Sequence, residues 1–403
     1  MAAVRAFHRV VVWVVAGAIG ASALCAEGPT AGVSLSPPQE RTLTGHGEHD
    51  GHLFRTLTAH FSFGKQPYTI SYQACVDPAH GDQVAPLEGY IGMPQPCSTN
   101  WYHGGFLFIR LNGQDIGTTP LSSMTVAESD GRAILDMVWH HPIANVRARF
   151  LGLPEHDGLL CEVGLEPKQE ITSVEVLARC YPSYFTSWNN RDGARRVQTP
   201  STLVEQGQPV TVPASDNWWA VYYDEIFDVA KGEGDGPCAL TLLPQEATDV
   251  YFNPMSYPVE TRITYAPDQR RLHLEFWEFP GSTNAEVLER MRAEGTSLRA
   301  ELETTDFTPA AVKGLDLAAL RAEVERATQS EAVKATLGER LTEVQEWLAE
   351  AEGIRGHDPI RDVSNGDRVP QLPIEAEEKL LASVGKYYGF MWEVKLAELL
   401  AGL

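Results

Sequence analysis

Residues 104–117 read GGFLFIRLNGQDIG, and residues 131–165 read GRAILDMVWHHPIANVRARFLGLPEHDGLLCEVGL. Short apolar runs separated by turn residues are the mark of antiparallel strands. Asn112-Gly113 is a two-residue hairpin turn in sequence form, because both positions tolerate positive φ. Arg132–Trp139 follows Ser129-Asp130-Gly131, and Asn145–Leu151 is joined to Leu159–Leu165 across Pro154 to Gly158. Working outward, Leu53, Arg55, Leu57, Ala59, Phe61 and Phe63 alternate with Phe54, Thr56, Thr58, His60 and Ser62, which gives a strand with one mostly apolar face. Similar runs recur at Tyr68–Val76, Ile171–Arg179, Gln208–Val212, Trp218–Tyr223, Cys238–Leu243, Val259–Tyr265 and Arg271–Phe279. No long amphipathic helix interrupts them. The pattern predicts one large antiparallel two-sheet β-sandwich over residues 43–283, with a division near residue 140 as the alternative.

After Pro280-Gly281 the composition turns helical. Asn284 to Leu302 is a polar helix, and Thr308-Pro309 is an N-cap followed by proline in the first turn. Leu337, Leu341, Val344 and Leu348 are spaced four, three and four, one stripe on a helix. Residues 353–373 read as a loop, and Leu381, Val384, Tyr388 and Met391 are expected on one face of a last helix. The fold class is therefore mainly β with an α-helical C-terminal region over 284–403, a hairpin or small bundle packed on the sandwich or on a second copy. Its heptad runs are too short for a coiled coil.

Residues 1–26 have the order of a cleavable signal peptide: Arg5 and Arg9, an apolar run from Val10 to Leu24, then small residues ending at Ala26. The run is shorter than a bilayer span, and no later segment is apolar for long enough to cross a membrane. Residues 27–42 read as a Pro-, Ser- and Gly-rich linker. The expectation is an exported protein, periplasmic or extracellular. Loss of Arg5 and Arg9 leaves 30 basic against 54 acidic residues, a net charge of −24. Such a surface repels phosphate backbones, so nucleic acid is not an expected partner. Five cysteines remain after cleavage, none in a CxxC pair. Two readings stay open: disulfides Cys75–Cys97 and Cys161–Cys180, or five buried thiols.

Four clusters carry candidate chemistry. His46, His49 and His52, with Glu48 and Asp50 in a glycine-rich loop, suit a divalent metal such as zinc, although the spacing matches no standard motif and a solvated loop is the alternative. His140 and His141 follow Trp139, and His103 follows Trp101. A histidine there can act as acid or base, or be satisfied by turn backbone. Residues 181–192 mix aromatic planes with Asn, Arg and Asp, the two features a sugar needs. Residues 217–225 alternate Trp218, Ala220 and Tyr222 with Trp219, Val221 and Tyr223, ending in Asp224 and Glu225. Aromatics filling a large core are the alternative for both. The motifs GxSxG, Walker A, the Rossmann glycine fingerprint and the EF-hand loop do not occur.

The strand rhythm of residues 104–185, with an aromatic and polar loop after the central strands, resembles the galactose-mutarotase-like supersandwich proteins. That resemblance covers about residues 50–283 and implies carbohydrate binding or processing; it transfers no catalytic residue to this chain. The functional expectation is an exported carbohydrate-binding or carbohydrate-processing sandwich. Its ligand would meet Tyr184, Trp188, Asn190, Arg191, Asp192, Trp218 and Tyr222, with His140 or His141 and Asp224 for acid–base work. The alternative is a non-catalytic envelope or assembly protein that uses its C-terminal helices for partner or self-association.

Overall fold

The computed structural model describes residues 30–44, 50–76, 89–129, 131–182, 191–308, 317–355 and 374–401. The strands in chain order are β1 (Gly32–Leu35), β2 (Gln39–Thr42), β3 (Leu53–Ser62), β4 (Thr69–Val76), β5 (Tyr90–Gln95), β6 (Leu107–Leu111), β7 (Gln114–Asp115), β8 (Ser123–Ser129), β9 (Arg132–His140) and β10 (Ala144–Gly152). They continue as β11 (Leu159–Pro167), β12 (Val174–Cys180), β13 (Arg195–Gln198), β14 (Leu203–Glu205), β15 (Val210–Pro213), β16 (Trp219–Asp224), β17 (Cys238–Leu242), β18 (Ala247–Pro254), β19 (Val259–Tyr265) and β20 (Arg271–Glu278). Four α-helices follow among the described residues: α1 (Asn284–Thr304), α2 (Leu317–Gln329), α3 (Glu331–Arg355) and α4 (Ile374–Ala401). No helix among the described residues is long and apolar enough to cross a membrane.

The strands form two antiparallel sheets. The first has the order β1-β3-β4-β5-β6-β12-β19-β18-β15, with β2 and β7 attached at β3 and β6. The second has the order β14-β13-β16-β17-β20-β11-β10-β9-β8. Their facing sides make the main core. Leu135, Met137, Val146, Phe150, Cys161 and Val163 of the second sheet meet Phe61, Ile70, Ile109, Val176 and Ile263 of the first. Asn112 and Gly113 both have positive φ (53° and 76°), so the β6–β7 hairpin uses the turn its sequence encodes.

Two details differ from the sequence reading. Residues 27–42 are not a plain linker: β1 and β2 each pair with β3, one on each side of Pro37-Pro38, where the missing N–H groups interrupt the ladder. The proposed disulfides are not formed, because Cys75, Cys97, Cys161, Cys180 and Cys238 are all buried free thiols. Cys75 packs with Leu43 and Phe54, whereas Cys97 lies beside Thr99 and Asp235. These thiols fill space as small apolar groups.

The helices cover the other side of the second sheet and each other. Helix α1 opens with a capping box in which Thr283 and Glu286 satisfy each other's backbone N–H groups. Its Val287, Met291 and Leu298 pack on Trp219, Val221, Tyr223 and Trp277. Helices α2, α3 and α4 share a separate core built from Leu320, Val324, Leu341, Val344, Leu348, Leu380, Phe390 and Val394. The predicted α3 stripe is present, with Leu337 at a non-helical kink. On α4 the buried row falls at Leu380, Phe390 and Val394, beside the half-buried Leu381 and Met391. The side chains of Val384 and Tyr388 lie outside the described ones.

Candidate functional site

The outward face of the second sheet carries charge where β9, β10, β11 and β20 run side by side. The register sets Asp136 opposite Arg149, Arg149 opposite Glu162, and Glu162 opposite His273. Four adjacent strands thus present one row of alternating sign, and all four residues are buried. Strand alternation explains the placement: Leu135, Met137, Ala148, Phe150, Cys161, Leu272 and Leu274 point to the core, so their neighbours point outward.

Each charge in the row has a partner. Arg149 donates from Nε to Asp136 Oδ1 and from Nη2 to Oδ2, both at 2.6 Å, a bidentate fork. Its Nη1 donates to the Phe307 carbonyl at 2.9 Å. One step along β10, Arg147 reaches across Gly164 and donates to Glu162 Oε1 at 2.7 Å. Arg271 Nη1 and His273 Nε2 both lie 3.3 Å from Glu162 Oε2. The other His273 nitrogen, Nδ1, lies 2.7 Å from Glu246 Oε1. Phe307 tilts over the imidazole at 5.4 Å between ring centres.

This packing separates an acid from a base. Burial opposes charge on His273, but Glu246 and Glu162 override it and lift its pKa to about 9. Burial likewise opposes charge on Glu162, yet Arg271, His273 and Arg147 hold its carboxyl well below the usual range. At neutral pH an imidazolium therefore faces a carboxylate, a proton donor beside an acceptor. Burial and the adjacent Arg149 guanidinium lower Arg147 to about 10. Further along β20, Glu275 Oε1 meets His156 Nε2 at 2.5 Å, and Glu301 of α1 lies 3.3 Å from His156 Nδ1. Gly158 is required there, since a Cβ would come within 2.5 Å of Glu275 Oε1.

Helix α4 closes the row. Glu377 takes both arginines: it pairs with Arg147 Nη1, and Arg149 Nη2 lies 3.3 Å from its Oε2. The neighbouring Glu378 reaches His140 Nε2 at 3.1 Å and the hydroxyls of Ser122 and Ser123.

The sequence candidates scatter around this strip. His140 sits at its rim, held by Glu378 and by Asn145 Oδ1 at 2.9 Å. His141 is buried in the next turn, where its Nδ1 accepts the Ile143 N–H at 3.2 Å. Burial, with Lys168 nearby, lowers its pKa. Asp224 is not beside either histidine. It ends β16, four strands lie between it and β9, and that spacing is roughly 24 Å. Its carboxylate caps the backbone N–H groups of Ala194, Ile226 and Phe227. Tyr222 belongs to the inter-sheet core and shares a hydrogen bond with Thr261 at 2.8 Å. Trp218 lies half-buried under Arg299. Arg191 pairs with Glu233 at 2.6 Å and stacks on Phe227, while Asp192 is exposed. An open cavity of about 640 Å³ lies beside that pair, lined by Cys97, Asp235 and Gly281. Burial and Glu278 push the Cys97 thiol up to about 11, so it is no nucleophile there. Tyr184, Trp188, Asn190, His46 and His49 lie outside the described residues. His52 Nδ1 lies 3.6 Å from Cys75 Sγ, and no set of three metal-ligating side chains is found among the described residues.

Sequence reasoning passed over Asp136, Arg147, Arg149, Glu162, Glu246, Arg271 and His273. The signal was available in single charges flanked by apolar residues within strands: LDM, VRARF, CEV and LHLEF.

No family model matches the chain, and no curated protein matches its sequence. Solved structures align with it at low similarity. A Klebsiella pneumoniae protein, provisionally assigned as an aldose 1-epimerase, aligns over 68% of this chain and 88% of its own with 11% identity and a TM-score of 0.37. The α-N-acetylgalactosaminidase NagBb of Bifidobacterium bifidum aligns over 64% of this chain and 39% of its own, with 10% identity and a TM-score of 0.36. The α-galactosidase AgaB of Geobacillus stearothermophilus aligns over 55% of this chain and 39% of its own, with 9% identity and a TM-score of 0.31. The chain thus spans about two fifths of the length of those two glycosidases.

Proposed function

We propose that this chain is an exported carbohydrate-binding or carbohydrate-processing protein whose sugar site is the charged strip on the outward face of the second sheet. The observation that carries the reading is the buried row Asp136–Arg149–Glu162–His273. Burying a charge costs several kcal/mol, on the order of what a well-placed partner returns, so such a row is weak as a fold stabiliser and fit for chemistry. Planar guanidinium, carboxylate and imidazole groups are those that grip hydroxyls in pairs. The arginines would hold the sugar through paired hydrogen bonds. Export rests on the character of residues 1–26.

The test is a glycan array followed by calorimetry on the mature chain, with neutral, amino and acidic sugars. Binding that drops at least tenfold in Glu162→Gln and His273→Gln, both checked for folding, supports the proposal. Absence of binding to every sugar overturns it.

A second reading has its own observation. Trp392, Leu396, Leu399 and Leu400 are exposed on α4, with Trp392 63% and Leu399 65% accessible. Their spacing of four, three and one gives an apolar stripe suited to a second copy of the chain. Light scattering decides it: a dimer that becomes a monomer in Trp392→Glu/Leu399→Glu supports self-association, and an unchanged mass removes it.

A further inference from the structure

The contact between Glu377 and the two arginines carries more than closure of the strip. Arg147 and Arg149 lie on one strand, two residues apart, with side chains 3% and 0% exposed. Each is anchored from behind by an acid of its own sheet, Arg147 by Glu162 and Arg149 by Asp136. Those anchors remain whatever α4 does. The guanidinium edges facing away from the anchors converge on one carboxylate, that of Glu377. Two guanidiniums fixed in advance around a single planar anion form a carboxylate receptor.

The charge balance points the same way. With His273 as imidazolium, the strip holds four cations, Arg147, Arg149, Arg271 and His273. It also holds four carboxylates, Asp136, Glu162, Glu246 and Glu377. Removing Glu377 leaves a surplus of one positive charge, which a monoanion restores. Arg147 Nε is also buried with no hydrogen-bond partner among the described residues. A ligand with an oxygen beside its carboxylate would supply one.

Glu377 is attached to the sandwich differently from the other seven charges. Among the described side chains, the rest of its helix draws its apolar contacts from α2 and α3. Against the sandwich it places Glu377, Glu378 and, beside Gly164, Ile374. Lifting the first turn of α4 therefore exchanges ion pairs and, among the described side chains, uncovers the apolar Ile374.

We propose that Arg147 and Arg149 are the carboxylate subsite of the sugar site, that its ligand class is acidic sugars of the uronate type, and that Glu377 is an internal stand-in which the ligand carboxylate displaces. The inference rests on the carbohydrate reading above. A stand-in lowers apparent affinity by the fraction of time the site is open. Removing its charge should strengthen binding of the acid and leave neutral sugars unaffected.

The experiment uses the full mature chain and four probes: glucuronate, galacturonate, glucose and galactose. Calorimetry compares wild type with Glu377→Gln and Glu378→Gln. The expected result is a uronate affinity at least tenfold higher in Glu377→Gln, with Glu378→Gln and the neutral sugars changed less than threefold. Hydrogen exchange on the wild type gives a readout independent of any variant's folding: saturating glucuronate should deprotect the amides of residues 377–381, and glucose should not. Equal binding of uronates and neutral sugars, or unchanged α4 protection with glucuronate bound, overturns the stand-in and leaves the carbohydrate reading intact. Binding of no sugar by wild type or Glu377→Gln removes both.

Discussion

The second sheet turns one face outward, and that face is covered in two unlike ways. Under α1, Trp219, Val221, Tyr223 and Trp277 meet Val287, Met291 and Leu298 in an apolar seam. Under α4, the same sheet presents a row of paired charges, Asp136, Arg147, Arg149, Glu162, Arg271 and His273, of which Arg147 and Arg149 meet Glu377 of the helix. Both halves are buried, and only the first obtains its cohesion from burial itself. The lesson is that cover and core are separable. A helix can be fixed to a sheet by displaced water, or held over it by charges that another anion can satisfy.

The comparison breaks most visibly at Arg149. Arg149→Leu leaves Asp136 buried without its bidentate partner and should cost about 3–5 kcal/mol in urea unfolding. The next effect is pH dependence. His273 has a folded pKa of about 9, above the roughly 6.5 of a free imidazole. Its contribution is therefore fully present below about pH 6.5 and is lost as pH rises through 9, on the order of 3 kcal/mol. His273→Gln should flatten that alkaline limb in unfolding curves taken between pH 6 and 10. Glu162, held low, contributes above its unfolded pKa and loses its share as pH falls.

In the apolar half the expected changes are smaller. Met291→Ala removes a fully buried side chain from the seam and should cost about 2–3 kcal/mol. Thr283→Ala removes one arm of the α1 capping box and should cost about 1 kcal/mol. A pH-dependent loss in Met291→Ala would show that the two halves are coupled.

The architecture was legible because strand alternation and turn chemistry act locally. Asn112-Gly113 encodes its hairpin, and the apolar residues of 132–165 name the inward faces. The strip was not legible, because period-two alternation assigns Arg147, Arg149 and Glu162 to an outward face, and outward ordinarily means wet. Only the late elements, Phe307 and Glu377, make that face dry. Tyr222 misled for the converse reason: an aromatic beside tryptophan and aspartate reads as a platform, yet the strand turns it into the core. The prolines at 37 and 38 hid two strands, since each is four residues long and finds its strand partner in β3, far along the chain from the local pattern.

The charged row also sets an order of assembly. Asp136, Arg149 and Glu162 sit on three consecutive hairpin-linked strands, and such local pairings form early. His273 arrives 111 residues after Glu162, and Glu377 joins Arg147 across 230 residues. A chain made from its N-terminus therefore holds two arginines and two acids on a half-built sheet before the imidazole exists. The acid–base pair is completed when β20 closes against β11, and the anion over the arginines comes last. A chain stopped after Phe307 and before residue 377 would present a finished row with its arginines uncovered.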